Sequence, residues 1–296
     1  MRTSPEGAWD MTDWRDLEWV LRDAVSRGLD EDAASSDSAV GALGGLASRP
    51  ARAAAVARGR LVLCGWRAVE MVFESLGGGV DATRSVADGE VVERGCRIGG
   101  LSGPAGVLLR GERTALNILN RMSGIATATR LLVEAVEGTG AEILDTRKTT
   151  PGFRAPERYA VRCGGGRNHR FDLHEMAMFK DNHWLAAGGF EAMAAAVASA
   201  RNAGFPVEVE IDSLDQLGAV IGMHPDRILL DNMSVPDMGE AVRLAGGSGI
   251  YMEASGGISL ASVRDVTGTG VDGISTGSIT HSAPAADISL DWEVQR

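Results

Sequence analysis

Lysine occurs at only two of the 296 positions, Lys148 and Lys180, and both fall in one basic stretch. Between Asp145 and Asp181 eight basic side chains stand against five acidic ones, in a chain of formal net charge −11. Arginine fills every other Lys/Arg position. Two retained ammonium groups therefore point to a compact, strongly hydrated charge that a planar guanidinium does not replace. A cationic island in an acidic chain suits an anionic small molecule, and the overall charge argues against nucleic acid or an anionic membrane as partner. Arg147 and Arg170, with Arg113 upstream, carry the fork that grips carboxylates bidentately. His169 and His183 are candidate donors to the same ligand.

Two further groups carry chemistry. Glu210 and Asp231, with Asp212 close by, are placed to hold Mg2+ through oxygen ligands. They can equally form an acid–base pair, or be solvated acids at the rim. A pair of carboxylates also invites a glycosidase, against which the cationic island speaks, because neutral sugars need no arginines. Ser255-Gly256-Gly257 and Gly277-Ser278, with His281 nearby, let backbone N–H groups approach a phosphate, or are simply tight turns. Cys64, Cys96 and Cys163 are odd in number, far apart and without a CxxC pair. That spacing predicts reduced cytoplasmic thiols and neither a disulfide frame nor a zinc site. His174, His224, Cys163 and the tryptophans have no companion at metal or nucleophile spacing and read as structural.

The elements that must position these groups follow from periodicity. The 44% hydrophobic and 23% charged content is that of a globular chain with a real core. No run nears the roughly 20 apolar residues of a membrane span, and Met1 to Asp16 is too polar for a secretory signal. From Ala141 onward, short apolar runs alternate with helical stretches, the rhythm of βα units. The runs are 142–144, 176–179, 207–211, 227–230, 250–253 and 273–275. Six of them end in polar, chemically capable residues, which predicts an α/β barrel whose mouth collects them. Before residue 113 the reading is mixed: helices over 14–26 and 65–76, strands within 51–63, 90–98 and 106–109, and a loop over 33–49. A long helix is expected over 112–136.

Read together, these segments resemble the quinolinate phosphoribosyltransferase family (nicotinate-nucleotide pyrophosphorylase, carboxylating). The likeness is carried by GERTALNILNRMSGIAT (111–127), ILDTRKTTPGFRAPERYAVRCGGGRNHRFDLHEMAMFKDNH (143–183), VEVEIDS (207–213), ILLDNM (228–233), EASGGIS (253–259) and STGSITHSAPAADISLDW (275–292). The segment Glu31 to Ala39 departs from the family's Asp-x-Thr signature.

The resemblance implies an α/β enzyme with an N-terminal α/β sandwich domain over 1–114, on which a tail from 279 to 296 packs back. Residues 115–278 would form an incomplete, seven-stranded-like (β/α) TIM-like barrel. It further implies a cytoplasmic pentosyltransferase that joins quinolinate to phosphoribosyl pyrophosphate with Mg2+ and yields nicotinate mononucleotide, pyrophosphate and CO2 for NAD synthesis. Arg147, His169, Arg170 and Lys180 would bind the quinolinate carboxylates. Arg113 would reach in from the partner of a homodimer, or of a hexamer built of dimers. Lys148 would contact the phosphoribosyl pyrophosphate, and Glu210 and Asp231 the ribose hydroxyls and Mg2+. Ser255, Gly256, Gly257, Gly277, Ser278 and His281 would meet the 5′-phosphate. A paralogue using another pyridine or aromatic acid, a molybdenum-transport relative, or a non-catalytic pyridine-acid binder would share the fold. The retained Lys148, Glu210 and Asp231 argue against the last.

Overall fold

The computed structural model describes residues 14–293, so most of the polar N-terminal segment discussed above lies outside the described residues. Packing divides the chain into two compact units. One holds Leu131–Lys148 and Gly166–Ser278, and the other runs to Arg130 and adds Thr149–Gly165 and the chain from Ile279.

The first unit is built on six parallel strands. Their spatial order is Glu142–Leu144, Gly273–Ser275, Tyr251–Ser255, Arg227–Asp231, Val207–Ile211 and Ala177–Phe179. These short segments are strands because β-branched and apolar residues are buried against helices on the far side. Val207, Val209, Ile211, Ile228 and Leu230 are almost completely buried. Neighbours in the sheet are mostly neighbours in sequence, joined by helices such as Phe190–Asn202, Leu214–Ile221 and Val235–Ala245. The seven-stranded expectation is corrected to six plus a fragment: Arg167 adds a single parallel bridge to Leu144. The glycine triplet 164–166 immediately before it, with Gly165 at φ +92°, keeps that segment from extending into a longer strand.

The second unit carries an antiparallel sheet in the order Ile288–Glu293, Pro50–Ala57, Arg97–Pro104, Asp81–Arg84. The C-terminal strand pairs along Pro50–Ala57, with Ala55 opposite Leu290. Helix Trp14–Glu31 buries Leu17, Leu21 and Val25, a one-face i, i+4, i+8 stripe. Helix Trp66–Ser75 buries Trp66, Val69 and Phe73.

Two local readings of this unit change. The expected loop over 33–49 contains helix Ser38–Leu43, started by Asp37, whose carboxylate accepts the Val40 N–H at 3.0 Å. The expected strand over 106–109 is instead the opening of the 31-residue helix Ala105–Ala135. An apolar triplet between glycines is too short to reveal its period. That helix runs unbroken past 114 and 115, where the sequence suggested a domain boundary, and packing keeps it with the antiparallel sheet as far as Arg130. Among the described residues no helix is long and apolar enough to cross a membrane.

Candidate active site

The C-terminal ends of the parallel strands open onto one cavity of about 500 Å³. Register explains why their polar residues meet. In Val207–Ile211, Glu208 and Glu210 share a face because side chains alternate along a strand. Glu210 pairs with Leu229, and Asp231 with Ser255, so Glu210, Asp231 and Ser255 share one face, with Asp231 and Ser255 two residues beyond the level of Glu210. Arg147, Lys148, His169, Arg170 and Lys180 complete the lining, together with Gly256 and Gly257. Ten of the fourteen residues to which the resemblance gives a role are thereby brought together.

Four are not. Gly277 and Ser278 follow the last parallel strand without lining the cavity, and Ser278 Oγ instead lies 2.8 Å from Thr276 Oγ1. Arg113 is exposed on the long helix of the other unit, and His281 is exposed and bonded to Ser282. His183 has a structural partner: its Nδ1 accepts the Lys180 N–H at 3.0 Å, starting helix Asp181–Ala187 and aligning the residue that carries the ammonium.

The cationic wall is built under strain of charge. Arg170 is 6% exposed and donates to the Met176 carbonyl at 2.9 Å. Its pKa lies below the usual arginine value because of burial and then of the Arg147 charge beside it. Two guanidiniums that repel one another at a cavity wall suit an anion. The loop that bears Arg170 is fixed by Asp145, fully buried two residues before Arg147. Asp145 accepts the His169 N–H at 2.7 Å and the Asn168 side-chain amide at 2.5 Å.

Below this wall lies a buried ionic group. His169 Nε2 is 3.1 Å from Glu208 and 3.4 Å from Glu253, and Arg227 reaches Glu253 at 3.3 Å. Burial opposes a charged imidazole, but Glu253 and Glu208 outweigh it and push the His169 pKa up to about 10. The Arg170 N–H, 2.8 Å from Nδ1, suits a neutral ring instead. Charge decides: two buried carboxylates with Arg227 alone would leave a net negative charge in a low-dielectric interior. Glu253 correspondingly falls below the usual glutamate value; burial opposes this, and the His169 and Arg227 charges overcome it.

On the opposite side Lys180 Nζ pairs with the Glu210 carboxylate. Burial raises the Glu210 pKa, Lys180 lowers it, and Asp231 raises it again, for a net upward shift. Glu210 and Asp231 are thus two electrostatically coupled carboxylates on adjacent strand ends, a hard-oxygen donor pair of the kind Mg2+ takes. Asp231 also accepts the Asn232 side-chain amide at 2.8 Å.

Asn232 is bent into the left-handed region at φ +54°, and Gly256 lies against it. A Cβ at Gly256 would stand 2.3 Å from Asn232 Oδ1 and 2.7 Å from its backbone nitrogen, at a glycine φ of +95°. The backbone there is open to a ligand because no side chain fits. Glu208 and Glu253 escaped the sequence reading, and Asp145 and Asn232 entered it only as polar residues at strand ends. The signal for the two glutamates was present: an acid inside an apolar strand, on the same face as a site residue.

The same chain matches known proteins throughout. The N-terminal domain model of quinolinate phosphoribosyl transferases matches residues 34–123, and the C-terminal domain model matches 125–291. The Mycobacterium leprae nicotinate-nucleotide pyrophosphorylase (carboxylating) is 46% identical over 219 residues, covering 72% of this chain and 76% of that one. The Homo sapiens protein of the same description is 39% identical over 245 residues, covering 81% and 82%. The nicotinate-nucleotide pyrophosphorylase structure from Francisella tularensis superposes with a TM-score of 0.85 at 36% identity, covering 93% of this chain and 96% of its own. With both domains matched at these identities, the chain belongs to the quinolinate phosphoribosyltransferase family.

Proposed function

We propose that the chain transfers the phosphoribosyl group of phosphoribosyl pyrophosphate to the ring nitrogen of quinolinate, releasing pyrophosphate and CO2 and forming nicotinate mononucleotide for NAD synthesis. The observation that carries this is the convergence of Arg147 and Arg170 in one cavity with Glu210, Asp231 and the Ser255–Gly257 backbone. Two crowded guanidiniums match two adjacent carboxylates on a flat ring, and each can hold one bidentately. His169, whose charge is offset by Glu208 and Glu253, lines the same cavity, and Lys180 adds a third cation.

Breaking the bond from the sugar to pyrophosphate leaves an oxocarbenium-like ribose. Lys148 places a point charge where the departing pyrophosphate accumulates negative charge, and the arginine wall holds the pyridine nitrogen in line with the anomeric carbon. Glu210 and Asp231 take the ribose hydroxyls and would hold Mg2+, which would supply further charge to the pyrophosphate oxygens. Glu210 must release Lys180 to do so, which frees the ammonium for a substrate carboxylate. Ser255, Gly256 and Gly257 cradle the 5′-phosphate, with Gly277, Ser278 and His281 following on the next turn. Once the nitrogen is alkylated, the positive ring withdraws electrons from the adjacent carboxylate, and CO2 leaves without a covalent enzyme intermediate.

Arg113 lies outside the cavity lining, and we place it in the neighbouring site of a homodimer. The test mixes protein, quinolinate, phosphoribosyl pyrophosphate and Mg2+ and looks for nicotinate mononucleotide and pyrophosphate in equal amounts. Consumption of a different pyridine or aromatic acid, with quinolinate untouched, would overturn the acceptor and keep the reaction class. Recovery of an Arg113→Ala protein's activity on mixing with a Lys148→Ala protein tests the shared site.

A further inference from the structure

Away from this cavity, the fold gathers three side chains that are remote in sequence. Cys64, Asp88 and Cys163 lie in the unit with the antiparallel sheet, and one ligand atom from each falls within 4.8 Å of the other two. Cys64 directly precedes Gly65, which caps helix Trp66–Ser75, and Cys163 ends helix Arg154–Cys163. Cys64 is wholly buried and Cys163 partly so.

The carboxylate between them is held still. Asp88 Oδ2 accepts the Gly65 N–H at 3.0 Å and the Tyr159 hydroxyl at 3.1 Å. Its other oxygen, Oδ1, is buried and has no hydrogen-bond partner, with the Arg84 guanidinium standing off at 3.8 Å. A buried acceptor left without a donor is costly and rare, and here it stands beside two thiols. Two sulfurs and one oxygen at this spacing form a donor set that a tetrahedral, thiophilic cation satisfies; an oxygen-seeking ion such as Mg2+ does not fit it.

We infer that Cys64, Asp88 and Cys163 form a binding site for one thiophilic divalent cation of the Zn2+ class, with the fourth position left to the Tyr159 hydroxyl or a water. Binding displaces the two thiol protons to solvent, so two thiolates and one carboxylate face a charge of +2. The remaining single negative charge is offset by Arg84 and by Arg162, next to Cys163. The cation ties the start of one helix to the end of another and so fixes the chain just ahead of Gly164, from which the loop bearing His169 and Arg170 continues.

The test uses the full-length chain carrying Cys96→Ser, which removes the exposed third thiol, fully reduced and stripped with chelator. Titration with Co2+ should give a thiolate-to-metal charge-transfer band that saturates at one equivalent and is bleached by Zn2+. Zn2+ should also raise the melting temperature. Cys163→Ser should abolish the band. Asp88→Asn, which keeps an oxygen acceptor for Gly65 and Tyr159, should weaken binding at least about tenfold. Circular dichroism confirms that each variant is folded. The inference is overturned if no charge-transfer band forms while the thiols titrate as free. It is equally overturned if the band survives Cys163→Ser, or if Cys64 and Cys163 oxidise to a disulfide at the same rate with and without Zn2+.

Discussion

Nε2 of His169 stands 3.1 Å from Oε2 of Glu208, and both side chains are almost wholly withdrawn from water. An imidazole in that position is worth most as a cation, because it offsets Glu208 and Glu253 together. Replacing His169 by leucine leaves two buried carboxylates against Arg227 alone. The expected loss is about 3–5 kcal/mol of unfolding free energy at neutral pH. Urea denaturation reads it directly, and a loss under about 1 kcal/mol would show that the acids relax to water or take up protons.

The same pair makes a signed pH prediction. The folded pKa of His169, about 10, lies above the ordinary 6.5. Its contribution is therefore complete below pH 6.5 and is lost as pH rises towards 10. Stability of the native chain should decline across that window relative to the leucine variant. Ring-nitrogen NMR gives the microscopic check: at pH 7 both nitrogens of His169 should be protonated. One pyridine-like resonance would mean that the Arg170 N–H has kept Nδ1 as an acceptor.

Glu210 gives the opposite kind of titration. Burial and then Asp231 hold its pKa above the usual 4.5 against the pull of Lys180. At mildly acidic pH a larger fraction is thus protonated than for an ordinary glutamate, and neither Lys180 nor a cation can then use it. Carboxyl carbon NMR of the metal-free protein should place the midpoint above 4.5. Lys180→Met should move it higher still, since the lysine lowers it. A midpoint that falls in the variant would reverse the assigned roles.

Gly256 and Gly257 separate two ways in which a glycine can matter. At Gly257, φ is +62° with nothing within 4 Å of an added Cβ, so alanine meets only the left-handed backbone cost of about 1–2 kcal/mol. At Gly256 the added carbon runs into the Asn232 backbone, next to Asp231. Gly256→Ala should weaken use of phosphoribosyl pyrophosphate by roughly 100-fold, the scale of an ångström of misplacement. Gly257→Ala should cost less, because its added carbon meets no protein atom and only the bound phosphate feels it. Steady-state kinetics with quinolinate saturating decides, and a larger loss at Gly257 would show that the Asn232 contact does not set the phosphate site.

Much of the site was legible because it sits at strand ends, where a period-2 apolar run stops at a polar residue. Glu210, Asp231 and Ser255 were found that way, and Arg147 and Lys148 by charge. Glu208 and Glu253 showed as acids inside apolar runs, but such an acid does not name its partner, so the buried group they form with His169 stayed hidden. His169 and Glu208 meet only through the tertiary fold: the fragment before His169 bridges Leu144 at one edge of the sheet, and Glu208 lies on the fifth strand in its order. The thiol pair was invisible for the same reason: Cys64 and Cys163 meet through a helix start and a helix end that sequence spacing does not relate. Helix Ala105–Ala135 was begun too late because Gly106 weakens its first turn. A Cβ there would stand 2.9 Å from Val40 and Ala47, a tertiary reason for the glycine that local propensity does not contain.

Lys148 supplies the sharpest test of mechanism, being exposed at the cavity edge. If its ammonium meets charge that develops on the leaving pyrophosphate, its loss should fall on the transition state. Lys148→Ala should lower kcat by about 10²–10³ with little change in KM for quinolinate, because the arginine wall that holds the acid is untouched. Lys148→Arg should recover only part of the rate: the charge returns, but as a planar fork in place of a point. A normal kcat in the alanine variant would remove Lys148 from the reaction. A selective rise in KM for quinolinate would move it to the acid's side of the cavity and leave the pyrophosphate to Mg2+ and the backbone.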